Sequence, residues 1–173
     1  VQKELVHGVR MIRGGGRYTV YWEAKKYYQK YSDENYDVLI DEINTRPFLT
    51  PRFAKGKEVI FGLIHQLARE YWLYEVPFPL SLIGYHILEK RWLSNYIDVP
   101  MVTVSESTRK DLQELGLRDV WIVPQGLSVR PLDSLPQKEE RPTMIFVGRM
   151  KRAKLPDHAI KAYRKVSKHV PDV

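Results

Sequence analysis

Five short runs in which apolar residues sit side by side, rather than alternating with polar ones, set the strongest limit on what this chain can become. They are Asp37-Val-Leu-Ile-Asp-Glu-Ile43, Glu58-Val-Ile-Phe-Gly-Leu-Ile64, Val99-Pro-Met-Val-Thr-Val104, Val120-Trp-Ile-Val123 and Thr143-Met-Ile-Phe-Val-Gly148. Each has strand length, and contiguous apolar residues are the mark of a strand covered on both faces. Longer stretches with helical spacing separate most of them. Strands alternating with helices predict an α/β fold: a parallel sheet with crossover helices.

The helical stretches read as follows. Val20, Ala24, Tyr27, Tyr28 and Tyr31 recur at helical spacing, which predicts a helix over 19–31 with an aromatic face. Phe48 to Ala54 reads as a short helix after Pro47. Residues 67–78 are aromatic and irregular, with Tyr71, Trp72, Tyr74 and Phe78, and a helix is predicted from about Leu80 to Tyr96. Ser105 or Ser107 can cap the next helix, and Gly116 can end it. The last helix starts at Pro156, a favoured first position, with Ala159, Ile160, Tyr163 and Val166 as its apolar stripe. Val9 to Ile12 reads as a further short strand running into Gly14-Gly-Gly16, a connection without the context of a dinucleotide fingerprint.

The segment from Ser128 to Pro142 holds three prolines and no periodicity, as a linker does. The boundaries that follow are a first domain at 1–127, a linker at 128–142 and the opening of a second domain at 143–173. One strand and one helix cannot bury a core alone, so that opening must dock elsewhere or continue.

Composition narrows the chemistry. With no cysteine among 173 residues, disulfides, thiolate catalysis and Cys-ligated zinc are excluded, and a reducing, cytoplasmic setting suits the chain. No apolar stretch is long enough to span a bilayer, and the first residues do not read as a signal peptide. The net charge of +7 is spread along the chain, its densest cluster being Arg149-Met-Lys-Arg-Ala-Lys154. Diffuse positive charge is more often surface chemistry than a nucleic-acid groove.

Four places carry residues capable of chemistry. His65 follows a buried strand and opens a loop with Gln66, where open parallel sheets bind ligands. A histidine hydrogen-bonded at a strand end fits the same position equally well. Ser105 stands at a strand end before a helix N-terminus and suits either capping or anion contact. Gly148 ends a strand, and Arg149 and Lys154 flank the loop that follows, a set able to clamp a diphosphate. From composition alone, a solvated basic loop is the simpler reading. The aromatic stretch from Tyr71 to Phe78, with Lys90 and Arg91 beyond it, suits a membrane interface, although core packing explains it more simply. Asp41 and Glu42 end a strand and more often cap than catalyse. No carboxylate pair is marked as acid and base, and no spacing suits a metal.

Phe146-Val-Gly-Arg-Met150, three residues, Lys154 and a helix from Asp157 to Val166 resemble the opening of the C-terminal domain in glycosyltransferase family 4. Tyr36-Asp-Val-Leu-Ile-Asp41, Ile64-His-Gln66, Val104-Ser-Glu-Ser107 and Val123-Pro-Gln-Gly126 are similar to that family's first domain, in the same order. The resemblance implies a GT-B arrangement of two Rossmann-like domains and a retaining, metal-independent transferase of the hexosyltransferase kind, with no cofactor. The partners it implies are a UDP- or GDP-linked sugar donor and a glycan or lipid-linked acceptor, with peripheral association at the inner membrane face and no nucleic acid. It assigns Gly148, Arg149 and Lys154 to the donor diphosphate and His65 to the reacting centre as an orienting group, with Gln66 and Ser105 toward the acceptor. Leu155 replaces the family's glycine, and Gln125 stands where asparagine is common. The family's later acidic motif would lie beyond Val173, so the chain alone is expected to transfer little sugar. Two other functions remain open on sequence: a non-catalytic relative that binds glycan or a partner, and a basic nucleic-acid-binding module.

Overall fold

Residues 2–13 build an element that the sequence reading half missed. In the computed structural model, which describes residues 2–32, 36–170 and 172, strand β1 (Gln2–Val6) pairs antiparallel with β2 (Val9–Arg13). The turn residues His7 and Gly8 both have positive φ, 49° and 82°. Two left-handed residues in a two-residue loop give the turn whose twist matches paired strands. Gly15, at φ 72°, leads into helix α1 (Val20–Tyr31), and a Cβ there would meet the Val20 backbone at 2.9 Å. The glycine run is therefore a tight entry to a helix.

The remaining strands are β3 (Val38–Ile43), β4 (Val59–Ile64), β5 (Met101–Thr103) and β6 (Val120–Ile122). They form one parallel sheet in the order β3-β4-β5-β6. Between β4 and β5 come α2 (Tyr71–Glu75) and a continuous helical rod. The rod is built from α3 (Leu80–Ile83), a π turn (Gly84–Leu88), α4 (Glu89–Leu93) and a 3-10 turn (Ser94–Tyr96). Helix α5 (Glu106–Glu114) joins β5 to β6, and α6 (Pro156–Val166) comes last. This is an α/β fold with a four-stranded parallel sheet flanked by helices, consistent with a Rossmann-like architecture. Where a helix was expected after Pro47, a single 3-10 turn forms over Thr50–Arg52.

The order of the sheet decides which face is covered. Strands that advance in one direction, joined by crossovers of one hand, receive all their crossovers on the same face. The core follows: Ile43, Ile64 and Met101 on that face meet Leu93, Tyr96 and Leu112 of the rod and α5. The opposite face is open at Val38, Ile40, Val59 and Trp121, which are 49%, 62%, 55% and 64% exposed. The expectation of strands buried on both faces is thus corrected to one. The strand expected at Thr143–Gly148 also fails to form: the segment pairs with nothing, and Ile145 and Val147 are 84% and 85% exposed. A strand needs a neighbour to satisfy its backbone, and none of the six described strands lies alongside it.

Two side chains pin the covered face to its loops. Asp41, 1% exposed, accepts from the backbone N–H of Phe48 (3.1 Å), from Thr50 N–H (3.1 Å) and Oγ1 (3.0 Å), and from the Tyr96 hydroxyl. Burial, reinforced by the bond to Asp41, pushes the Tyr96 hydroxyl well above the ordinary tyrosine range. Tyr28 ties α1 to the loop before β4, donating to Glu58 and accepting from Lys55 N–H at 2.9 Å. The Tyr28 bond is the chief cause holding the Glu58 carboxyl below its usual range. A depressed carboxyl stabilises above its unfolded value, about 4.3, and that share is lost as pH falls through the folded value. Tyr28→Phe is expected to lower stability by about 1 kcal/mol at neutral pH, with the gap narrowing in acid. Urea midpoints at both pH values check it.

Gly84, in the π turn, explains how the rod meets α2. A Cβ on it would fall 2.2 Å from Cε3 of Trp72, a buried indole that packs on Trp92 at 6.0 Å between ring centroids. The ring is wedged and cannot yield cheaply. Alanine raises helix propensity by about 1 kcal/mol over glycine, but overpacking costs about 1–3 kcal/mol. Gly84→Ala is therefore expected to be destabilising, against the sign that propensity gives, and a lower urea midpoint is the measurement.

Candidate functional site

A cleft of about 510 Å³ opens at the carboxyl ends of β3 and β4. Its floor is the end of β3 and the residues just beyond, Glu42 to Thr45, together with His65 to Ala68 after β4. One wall is α2 and its approach, with Glu70, Tyr71 and Tyr74. The other wall is the distant basic loop, with Arg149, Lys151, Ala153 and Lys154. Three cations on one wall thus face a floor and wall bearing two carboxylates. The volume lies within the range of small-molecule sites.

The loop reaches the cleft because it is anchored to α2. Lys151 Nζ donates to the Tyr71 hydroxyl at 3.4 Å, and the turn Arg152–Lys154 is closed by Leu155 N–H to Arg152 carbonyl at 3.0 Å. Leu155 then takes φ 51° and ψ 49°, the left-handed conformation that glycine adopts without penalty, before Pro156 opens α6. The leucine keeps this backbone path at a cost of about 1–2 kcal/mol. Helix α6 forms over Pro156–Val166 as its pattern predicts, yet Ile160 and Tyr163 of its apolar stripe are 63% and 44% exposed.

His65 is held by its neighbours. Its carbonyl accepts from Thr108 Oγ1 at 3.1 Å, and its Nδ1 lies 3.2 Å from Gln125 Nε2. The Gln125 contact fixes the position of the ring, and the orientation of that amide sets which ring nitrogen carries the proton. Arg69 pairs with Asp111 at 2.9 Å and fastens the loop after β4 to α5. Glu89 does the same from the rod, accepting from Ala68 N–H at 2.5 Å and Arg69 N–H at 3.0 Å.

Of the residues the sequence singles out, His65, Gln66, Arg149 and Lys154 meet in this cleft, although 84 positions separate His65 from Arg149. Ser105 does not line it. Its hydroxyl caps α5, accepting from Thr108 N–H at 3.3 Å and contacting the Ser107 hydroxyl at 3.1 Å. Gly148 is also outside the lining, with the Phe146 ring 3.5 Å from where its Cβ would be. Asp41 is structural, whereas its neighbour Glu42 reaches the cleft, as alternation along a strand requires. Asn44 and Thr45 went unnoticed, their only signal being a polar pair directly after a strand. Comparison with protein-family models, with curated proteins and with solved structures finds no match.

Proposed function

We propose that the cleft binds the phosphates of a nucleotide sugar and that the chain is part of a retaining glycosyltransferase of the GT-B type. In this reading residues 1–127 form the acceptor-side domain, 128–142 the linker and 143–173 the opening of the donor-side domain. Arg149 and Lys154 neutralise the diphosphate, Arg149 through its paired N–H groups and Lys154 as a mobile point charge. The same contacts stabilise charge that builds on the leaving group, an effect worth several kcal/mol at such sites. His65, oriented by Gln125, hydrogen-bonds the reacting sugar, and Gln66 lies beside the acceptor. The donor is UDP- or GDP-linked and the acceptor is a glycan or a lipid-linked sugar.

One observation carries this reading: the convergence of Arg149, Lys154 and His65 on a single cleft at the carboxyl ends of parallel strands. The test is a thermal-shift series with UDP- and GDP-sugars, free nucleoside diphosphates and a generic RNA. A donor at about 100 times its Kd stabilises the fold by about 2.7 kcal/mol. No shift with any nucleotide, together with salt-sensitive RNA binding, would replace the transferase reading with a nucleic-acid-binding one.

A further inference from the structure

We propose that a second cavity, between the β1–β2 hairpin, α1 and the start of β3, binds an aromatic acid: a planar ring system carrying one anionic group. The cavity holds about 450 Å³, within the small-molecule range. It shares no lining residue with the cleft and lies toward the other end of the sheet, where Leu39 follows the first residue of β3. Lys3 and Ile12 are cross-strand partners, so both leave one face of the hairpin, and both line the cavity. From α1 come Val20, Ala24 and the tyrosines at 27, 28 and 31, the aromatic face that the cleft leaves unused. Ala24 lies one turn before Tyr27 and Tyr28, and its single methyl leaves room that a larger side chain would fill. The Tyr28 hydroxyl is committed to Glu58 and to Lys55 N–H, so its contribution here is its ring. Core packing accounts for Tyr28, which is buried. It does not account for Tyr27 and Tyr31, which are half-buried on the cavity with ring centroids 4.5 Å apart.

The charges select the ligand. Lys3, Lys26 and Lys30 line the cavity against a single carboxylate, Glu23. Lys26 is turned to Trp22, its Nζ 3.2 Å from that ring's centroid. Lys3 and Lys30 both stand over Tyr31, at 5.4 and 5.3 Å from its centroid. Among the described residues neither belongs to an ion pair with a carboxylate. Both are exposed, and their flexible stems let two ammonium groups reach an anion held beside the Tyr31 ring. Ring faces favour a flat apolar body, and ammonium groups favour a charge on its edge. A sugar fits the lining poorly, because its hydroxyls need polar partners in depth and the cavity supplies Ile12, Val20 and Leu39 instead.

The test is calorimetric titration of the full chain with naphthoate, with its neutral analogue naphthylmethanol and with octanoate. Naphthoate should bind saturably and one to one. Naphthylmethanol should bind about tenfold more weakly for want of the charge, and octanoate about fivefold more weakly for want of the ring. Lys3→Met with Lys30→Met should lower naphthoate affinity about tenfold and leave naphthylmethanol unchanged, a contrast that a folding defect would not give. Ala24→Phe, which fills the cavity, should abolish binding of both, and circular dichroism checks that it remains folded. Ile40→Gln with Trp121→Gln, on the open sheet face, and Arg149→Ala with Lys154→Ala, in the cleft, should change nothing. The proposal is overturned by the absence of saturable naphthoate binding, by equal affinity for naphthoate and naphthylmethanol, or by loss only through the sheet-face or cleft pair. Octanoate binding more tightly than naphthoate also overturns it, making the cavity a site for aliphatic acids. The proposal stands apart from the transferase reading: nucleoside diphosphate affinity should be the same in the Lys3, Lys30 and Ala24 variants.

Discussion

Asp41→Ala is expected to cost the fold about 3–5 kcal/mol, a large part of the roughly 5–15 kcal/mol that holds a domain of this kind together. The reason is the number of donors that depend on one carboxylate. Phe48 N–H, Thr50 N–H, Thr50 Oγ1 and the Tyr96 hydroxyl all converge on it, at a site 1% exposed to solvent. Removing the acceptor leaves several of these groups buried without a partner, and water cannot enter to replace it without opening the core. Asp41→Asn should recover only part of the loss, because its NH₂ turns a donor toward donors. Tyr96→Phe, which removes one donor and keeps the ring in the core, should cost only about 1–2 kcal/mol. Urea unfolding of the three variants gives the order directly. An Asp41→Ala midpoint within about 1 kcal/mol of the parent would refute this account of the loop over Pro47 to Thr50.

Arg149→Ala carries the second large effect. In calorimetric titration with uridine or guanosine diphosphate, it should weaken binding by about 10- to 100-fold, the scale of losing a hydrogen-bonded charge contact. Arg149→Lys should restore the charge and only part of the affinity, since an ammonium cannot grip two oxygens of one phosphate in a fixed plane. Lys154→Ala should weaken binding in the same direction and by less. Lys151→Ala is the informative contrast. Lys151 also lines the cleft, but its ammonium is turned toward the Tyr71 hydroxyl at 3.4 Å. Its loss should act by loosening the loop from α2 and so weaken both nucleotides alike. If affinity is indifferent to Arg149 and Lys154 together, the diphosphate assignment fails.

Several features of this architecture were legible before any coordinates. The runs at Val38–Ile40 and Val59–Ile64 announce strands because β-branched and aliphatic side chains fill a pleated surface. The helix at Pro156 is visible, and its predecessor's cap narrows to Ser105 or Ser107, because both obey local rules within a few residues; the structure chooses Ser105. The strand at Gln2–Val6 was missed because only one of its five residues is even partly buried, so it carries no apolar pattern. The run at Thr143–Gly148 misled for the opposite reason: it has the pattern of a buried strand and no neighbour to pair with.

The sequence by itself determined much of the alphabet of this protein: the four strands of the parallel sheet, helices α1, α5 and α6, and a histidine directly after a strand. These follow from side-chain shape and spacing, which act over one or two turns. Tertiary structure alone decided which face of the sheet is covered, that Asp41 is a buried anchor while Glu42 faces the cleft, and that Arg149 and Lys154 come to His65. Those outcomes depend on strand order, crossover hand and the docking of one distant loop on α2. Contacts between segments so far apart in the chain leave no periodic trace in either segment.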